Sequence, residues 1–154
     1  MKEPLVSIIM PSYNSKKYIL ESITSVINQS YSNWELIIVD DCSIDGSALY
    51  LSQLIIKLDD IRIRYFKEKT NRGAAYSRNI AINNARGNYL AFLDSDDLWH
   101  SDKLKLQIDF MIRNNYSFTF HNYTAYDSLI QKKLYGVTSP LKLNYDSYAK
   151  NTII

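Results

Sequence analysis

Three carboxylates crowd into four positions at Asp94, Asp96 and Asp97, directly after the run Tyr89-Leu90-Ala91-Phe92-Leu93. Like charges held this close repel one another, and removing them from water is costly. A cation is the simplest device for holding them together, and oxygen-only ligands suit Mg2+ or Mn2+. A lone Asp here would read as a cap for the next turn, whereas three together read as a ligand set. A second acidic pair, Asp40-Asp41, follows the apolar run Trp34 to Val39, and a third polar cluster, Pro11-Ser12-Tyr13-Asn14, follows Leu5 to Met10. Tyr13 offers a ring on which a base can stack. Asp41 can accept hydrogen bonds from a base or ribose, and Arg78 can offset the charge of a diphosphate. Plainer roles stand beside these: Tyr13 covering a sheet end, Arg78 solvated on a helix, and Asp41 capping the turn-like Asp41-Cys42-Ser43-Ile44-Asp45-Gly46.

These clusters are useful only if the fold brings them together, and the pattern of the chain says that it does. Leu5 to Met10 predicts a first strand, stopped by Pro11. A helix follows from about Ser15, a suitable N-cap, with Ile19, Ile23, Val26 and Ile27 at helical spacing. Trp34 to Val39 is a second strand. Ser43 or Asp45 caps a helix carrying Leu49, Leu54, Ile55 and Leu58. Ile61 to Phe66 alternates basic and apolar residues, the pattern of a half-exposed strand near a sheet edge. A helix of small residues from Ala74 can approach a sheet closely and ends near Gly87. Tyr89 to Leu93 reads as a buried strand, and a further helix from about Ser101 presents Leu104, Ile108, Met111 and Ile112. Tyr116 to Tyr126 suggests another strand, and Gln131 to Ile154 reads as loop plus a short helix. Strand and helix alternate, so the class is α/β with a mainly parallel sheet and right-handed crossovers. In such a sheet the C-terminal strand ends share one edge, where ligands bind.

Composition narrows the function. At 154 residues the chain is long enough to bury a real core, and its 46% hydrophobic and 22% charged residues are ordinary for a globular domain. Net charge is +2 without a polybasic run, which argues against a nucleic-acid partner. The single cysteine, Cys42, excludes an internal disulfide and a cysteine-based zinc cluster, and fits a cytoplasmic setting. No run approaches the roughly 20 apolar residues of a spanning helix. Only four glycines occur, none after the first strand, so the Gly-x-Gly-x-x-Gly of a dinucleotide-dependent oxidoreductase is missing. The glycine-rich triphosphate loop of a nucleotidyltransferase is missing too. His100 and His121 lack partners at metal or triad spacing.

Four segments in order carry a resemblance: Val6 to Asn14, Val39 to Ser47, Asn71 to Asn79, and Leu93-Asp94-Ser95-Asp96-Asp97. Together they resemble family 2 glycosyltransferases of the GT-A fold, a Rossmann-like three-layer sandwich, over residues 4 to about 127. The resemblance implies a nucleotide-diphosphate-sugar donor, with a UDP-sugar favoured, and transfer with inversion to a saccharide or lipid-linked acceptor. It implies a nucleotide-sugar site of Pro11, Tyr13, Asn14, Asp41, Arg78, Asp94 and Ser95. Within it Pro11 and Tyr13 line the base pocket, Asp41 binds the base, Asp94 contacts the ribose or sugar side, and Arg78 lies near the donor. Asp94-Ser95-Asp96 matches the DxD motif, with Asp96 as the main Mn2+ or Mg2+ ligand and Asp94 beside it.

The family's acceptor base comes from an acidic motif well past that strand. After Asp127 the only acid in this chain is Asp146. The catalytic base is therefore unassigned. Residues 1–127 are expected to form the nucleotide-sugar-binding core and 128–154 the start of an incomplete acceptor side, completed by a further half or by a homo-oligomer. The alternative is a non-catalytic nucleotide-binding remnant. Envelope polysaccharide or glycolipid synthesis, at the cytoplasm or the inner face of its membrane, is the family-level expectation.

Overall fold

The computed structural model describes residues 3–127 and 132–138, and the structural statements below concern those residues. The chain forms two compact units, Met1–Ile108 and Asp109–Ile154. In the first, β1 (Val6–Ser12), β2 (Trp34–Asp40), β3 (Ile63–Lys67) and β4 (Tyr89–Phe92) make one parallel sheet in the order β3-β2-β1-β4. Between them run α1 (Ile19–Ile27), α2 (Ser47–Leu58) and α3 (Ala74–Asn83). Every residue of β1 and β2 is buried, as central strands covered on both faces must be.

The helices divide between the faces by the handedness rule. The path β1-β2-β3 moves one way across the sheet, so its helices α1 and α2 share a face. The return from β3 to β4 reverses direction and carries α3 to the other face. The larger core joins Ile8, Met10, Leu36 and Ile38 to Ile19, Ile23 and Val26 of α1 and Leu51 and Leu54 of α2. Leu104 and Ile108, from the start of α4 (Lys103–Asn114), complete it. On the opposite face Ile9, Ile37 and Val39 pack against Ala81 of α3. That is the expected α/β three-layer arrangement.

Several expectations need correction. Pro11 does not stop β1, which continues through Ser12. Ile9 points its carbonyl to the β4 side, where it accepts the Leu93 N–H at 3.1 Å. Pro11, two residues on, points the same way, but the pairing with β4 ends at Ile9↔Phe92. Its missing N–H therefore costs no ladder bond. Ser15 is not an N-cap. The helix starts at Ile19, and the Ser15 hydroxyl instead lies 2.7 Å from that of Ser12. β4 is not a fully buried strand. It closes one edge of the sheet, with Leu90 and Phe92 half exposed. β3 is the other edge, as its alternation predicts.

In the second unit the strand expected over Tyr116 to Tyr126 is confined to β5 (Tyr123–Asp127), because pairing begins only at Tyr123↔Val137. Its partner β6 (Lys132–Val137) stands where loop was expected, and the short helix expected further along lies outside the described residues. Gly136, which reads as a loop signal, sits opposite Thr124 in an antiparallel ladder with an irregularity at Ala125/Tyr126. Asp146 and the rest of 139–154 lie outside the described residues.

Candidate functional site

The order β3-β2-β1-β4 switches direction between β1 and β4, and the crevice at such a switch is where open α/β sheets bind ligands. A cavity of about 260 Å³ opens there. Its walls come from three strand ends and one helix: Pro11, Ser12, Tyr13 and Asn14 after β1, Asp41 after β2, Asp94, Ser95 and Asp96 after β4, and Ala74 and Arg78 on α3. All the residues proposed from sequence for nucleotide-sugar and metal binding lie on this one cavity. Ser12, part of the polar cluster after β1, lines it too, and Ser15, Tyr18 and Ala74 join without having been assigned to the site from sequence. Small size and an ordinary hydroxyl leave little signal in a sequence.

Each wall is fixed by hydrogen bonds that the chain makes to itself. Asn14 has a left-handed backbone (φ 50°), which Asn tolerates, and its side-chain oxygen accepts the N–H groups of Ile44 and Asp45 at 2.9 and 3.3 Å. Its own N–H donates to the Ser43 hydroxyl at 2.9 Å. Asn14 thus joins the β1 end to the β2 end as well as lining the cavity. Asp40 is fully buried and accepts the N–H and hydroxyl of Ser43 at 3.1 and 2.5 Å. The turn-capping role open to Asp41 from sequence falls to its neighbour. Asp45 steadies the start of α2 by accepting the Ser47 N–H at 2.9 Å.

Asp41 is 2% exposed, and its two carboxylate oxygens accept the N–H groups of Arg72 and Gly73 at 2.8 and 2.6 Å. The Asp41 N–H donates to the Ser12 carbonyl at 2.8 Å, which locks the β1 and β2 ends together. A carboxylate has about four lone-pair directions. Two are taken by the loop before α3, and the others remain for a ligand donor on the cavity side. Gly73 serves this grip with φ 87°, a left-handed backbone that costs glycine nothing. Tyr13 lines the cavity and is 47% exposed.

On the other wall the Arg78 guanidinium pairs with Asp94 at 2.5 Å. Asp96 is exposed, and Asp97 follows it in a turn closed by the Asp97 N–H on the Asp94 carbonyl at 3.1 Å. Burial, then the charges of Asp96 and Asp94, push the Asp97 carboxyl above its ordinary value. The loop therefore holds negative potential that Arg78 offsets only at one end. Among the described residues no three acidic, His or Cys side chains are already gathered as a metal shell. The donor set nevertheless fits a hard cation. Asp94 and Asp96 bring oxygen ligands to a cavity with room for water and phosphate oxygens, the usual completion of such a shell.

Comparison with known proteins places this geometry in context. The sequence pattern of glycosyl transferase family 2 matches residues 7–146. A putative teichuronic acid biosynthesis glycosyltransferase of Bacillus subtilis, TuaG, is 46% identical over 99% of this chain and 60% of its own length. The Escherichia coli UDP-Glc:alpha-D-GlcNAc-diphosphoundecaprenol beta-1,3-glucosyltransferase WfgD is 41% identical over 98% of this chain and 57% of its own length. The chain thus spans 57–60% of the length of these two relatives. Among solved structures, Staphylococcus aureus TarS 1-349 in complex with UDP superposes with a TM-score of 0.64 at 32% identity, over 71% of this chain and 32% of that one. The mannosyltransferase PcManGT from Pyrobaculum calidifontis, in complex with GDP-Man and Mn2+, gives 0.67 at 27% identity, over 71% of this chain and 33% of that one.

Proposed function

The chain belongs to glycosyl transferase family 2, and from that premise we propose that its cavity binds a nucleotide-diphosphate sugar, a UDP-sugar in particular, as donor for transfer to a hydroxyl acceptor. The observation that carries this reading is the convergence of Tyr13, Asp41, Arg78, Asp94 and Asp96 on one cavity at the strand-order switch. Tyr13 stacks on the base while the unused lone pairs of Asp41 accept its N–H. Asp94 meets the ribose or sugar, and Asp96, with Asp94, would hold Mn2+ or Mg2+ when the cation is bound. When bound, the cation supplies Lewis-acid stabilisation of the departing diphosphate. Arg78, balanced against Asp94, contributes fixed positive charge on the same wall. Transfer proceeds with inversion once a base takes the acceptor proton. Every acid on the cavity already has a donor or metal role, so donor binding is the activity assigned to these residues.

The relatives support the direction of the chemistry. WfgD carries in its name a UDP-glucose donor and a diphosphoundecaprenol-linked acceptor, and TuaG a place in teichuronic acid biosynthesis. The corresponding acceptor here is a saccharide hydroxyl, lipid-linked, in envelope polysaccharide synthesis at the inner face of the cytoplasmic membrane. No helix among the described residues is long and apolar enough to cross a membrane.

Calorimetric titration with UDP and with GDP, each with and without Mn2+, tests the reading. Metal-dependent binding of UDP that disappears in Asp96→Ala is expected. A folded chain that binds neither nucleotide would overturn it.

A further inference from the structure

We propose that Ser22 and Ser25 of α1, and Gln29 just past its C-terminus, are positioning residues for donor binding, holding the acidic loop so that Asp94 and Asp96 face the cavity. They do not touch the cavity themselves, and the proposal rests on the donor reading above. α1 is a core helix whose buried face carries Ile19, Ile23 and Val26, yet Ser22 on that face is fully buried and Gln29 is 7% exposed. Polar groups in such places cost free energy unless they are paired. Ser22 and Ser25, at i and i+3, share one face of the helix, and Gln29 follows its C-cap Asn28.

All three are paired, and all to the main chain of a single segment. The Ser22 hydroxyl donates to the carbonyl of Ser95 at 2.9 Å, between the two metal-facing aspartates. The Ser25 hydroxyl accepts the Trp99 N–H at 3.2 Å. The Gln29 amide donates to the His100 carbonyl at 2.7 Å, and its oxygen accepts the Leu104 N–H at 3.0 Å. One backbone bond, from the Ser30 N–H to the Ser101 carbonyl at 2.8 Å, continues the same seam.

The segment from Leu93 to Ser101 has no helix or strand of its own. Its buried polar backbone must find partners elsewhere, and α1 with the residues just after it supplies them in order along the chain. Gln29 also satisfies a first-turn N–H of α4 that no intrahelical carbonyl can reach. The need is greatest in this loop because Asp94, Asp96 and Asp97 repel one another and would otherwise spread. Four side-chain bonds, two from α1 and two from Gln29 just after it, fix the carboxylates before any ligand arrives.

The test separates the two walls of the cavity. Uridine, which lacks phosphates, reads the β1 and β2 side, whereas UDP with Mn2+ also reads the acidic loop. In Gln29→Met, and independently in the milder Ser22→Ala, uridine affinity by NMR titration is expected to stay within about twofold. Affinity for UDP with Mn2+ is expected to fall about tenfold or more, the usual cost of removing support behind a metal ligand. Amide exchange at Trp99 and Leu104 should quicken in Gln29→Met. Unchanged UDP·Mn2+ affinity in a folded variant would overturn the proposal, as would an equal loss for uridine and UDP·Mn2+, which marks general loosening. If the wild type itself binds no nucleotide with Mn2+, the donor reading falls and takes this proposal with it.

Discussion

Glu35 and Asp41 stand near opposite ends of β2 and do opposite work. At the start of the strand Glu35 is 6% exposed. It accepts the Ser7 hydroxyl at 2.6 Å and the Arg86 N–H at 2.7 Å, with Arg64 at 3.3 Å. Burial pushes its carboxyl up, but the bonds from Ser7, Arg86 and Arg64 outweigh burial and leave it below the ordinary value of 4.5. A carboxyl depressed in the folded state contributes stability above its unfolded pKa and loses it as pH falls through the folded one. Denaturation midpoints of the wild type should therefore drop more steeply than those of Glu35→Gln as pH goes below about 4.5. At neutral pH Glu35→Gln should cost roughly 2 kcal/mol in chemical denaturation, since charge-assisted bonds are replaced by neutral ones. Asp41→Asn tests the far end. The Arg72 and Gly73 N–H groups bond to different carboxylate oxygens, so in Asn one of them would face an NH2 group instead of an acceptor. The loop should loosen by about 1–3 kcal/mol of stability, and uridine binding should weaken more than about tenfold, read by titration. Asp41 is legible in the sequence because acids after an apolar run are unusual. Glu35 is not, since a single acid inside a strand pattern reads as an outward-facing position. Its partners Ser7 and Arg86 become neighbours only when β1, β2 and the turn before β4 meet.

At the scale of elements, the helices and strands of the first unit follow from periodicity, while their ends and exposures depend on neighbours. Whether Pro11 interrupts β1 is decided by where β4 stops pairing, which no local pattern reveals. β4 itself reads as buried because five apolar residues run together, yet an edge position leaves alternate side chains in water. The entry to β4 is tightly specified. A Cβ on Gly87 would lie 2.6 Å from the Ser7 nitrogen and 2.8 Å from the Leu5 carbonyl oxygen, both backbone atoms that cannot swing aside. Gly87→Ala should therefore cost at least about 2 kcal/mol, measured by urea denaturation, through displacement of β4 from β1. In α3 the outcome is opposite. The Ser77 hydroxyl is buried without a hydrogen-bond partner, so Ser77→Ala should be neutral or slightly stabilising in the same assay.

For the whole molecule, the sequence already implies that the strand ends gather on one edge, because parallel strands with right-handed crossovers leave no other place for them. The strand order it does not reveal. That order follows from β4 pairing with β1 across some eighty intervening residues, and the position of the cavity follows from the order. The same order leaves β4 with one unpaired side among the described residues, carrying Leu90 at 43% and Phe92 at 52% exposure and no charge. An apolar edge without charged guards invites pairing with other chains. Concentration-dependent association should appear in sedimentation velocity and be reduced by Phe92→Lys, at a stability cost below about 1 kcal/mol.

Every residue lining the cavity lies between Pro11 and Asp96, and the helix that closes the core behind it contributes Leu104 and Ile108. A ribosome making this protein thus adds every cavity-lining residue before it reaches β5 and β6. If the proposed donor binds this cavity, its binding free energy depends on no residue of β5 or β6 and stabilises the first unit by itself.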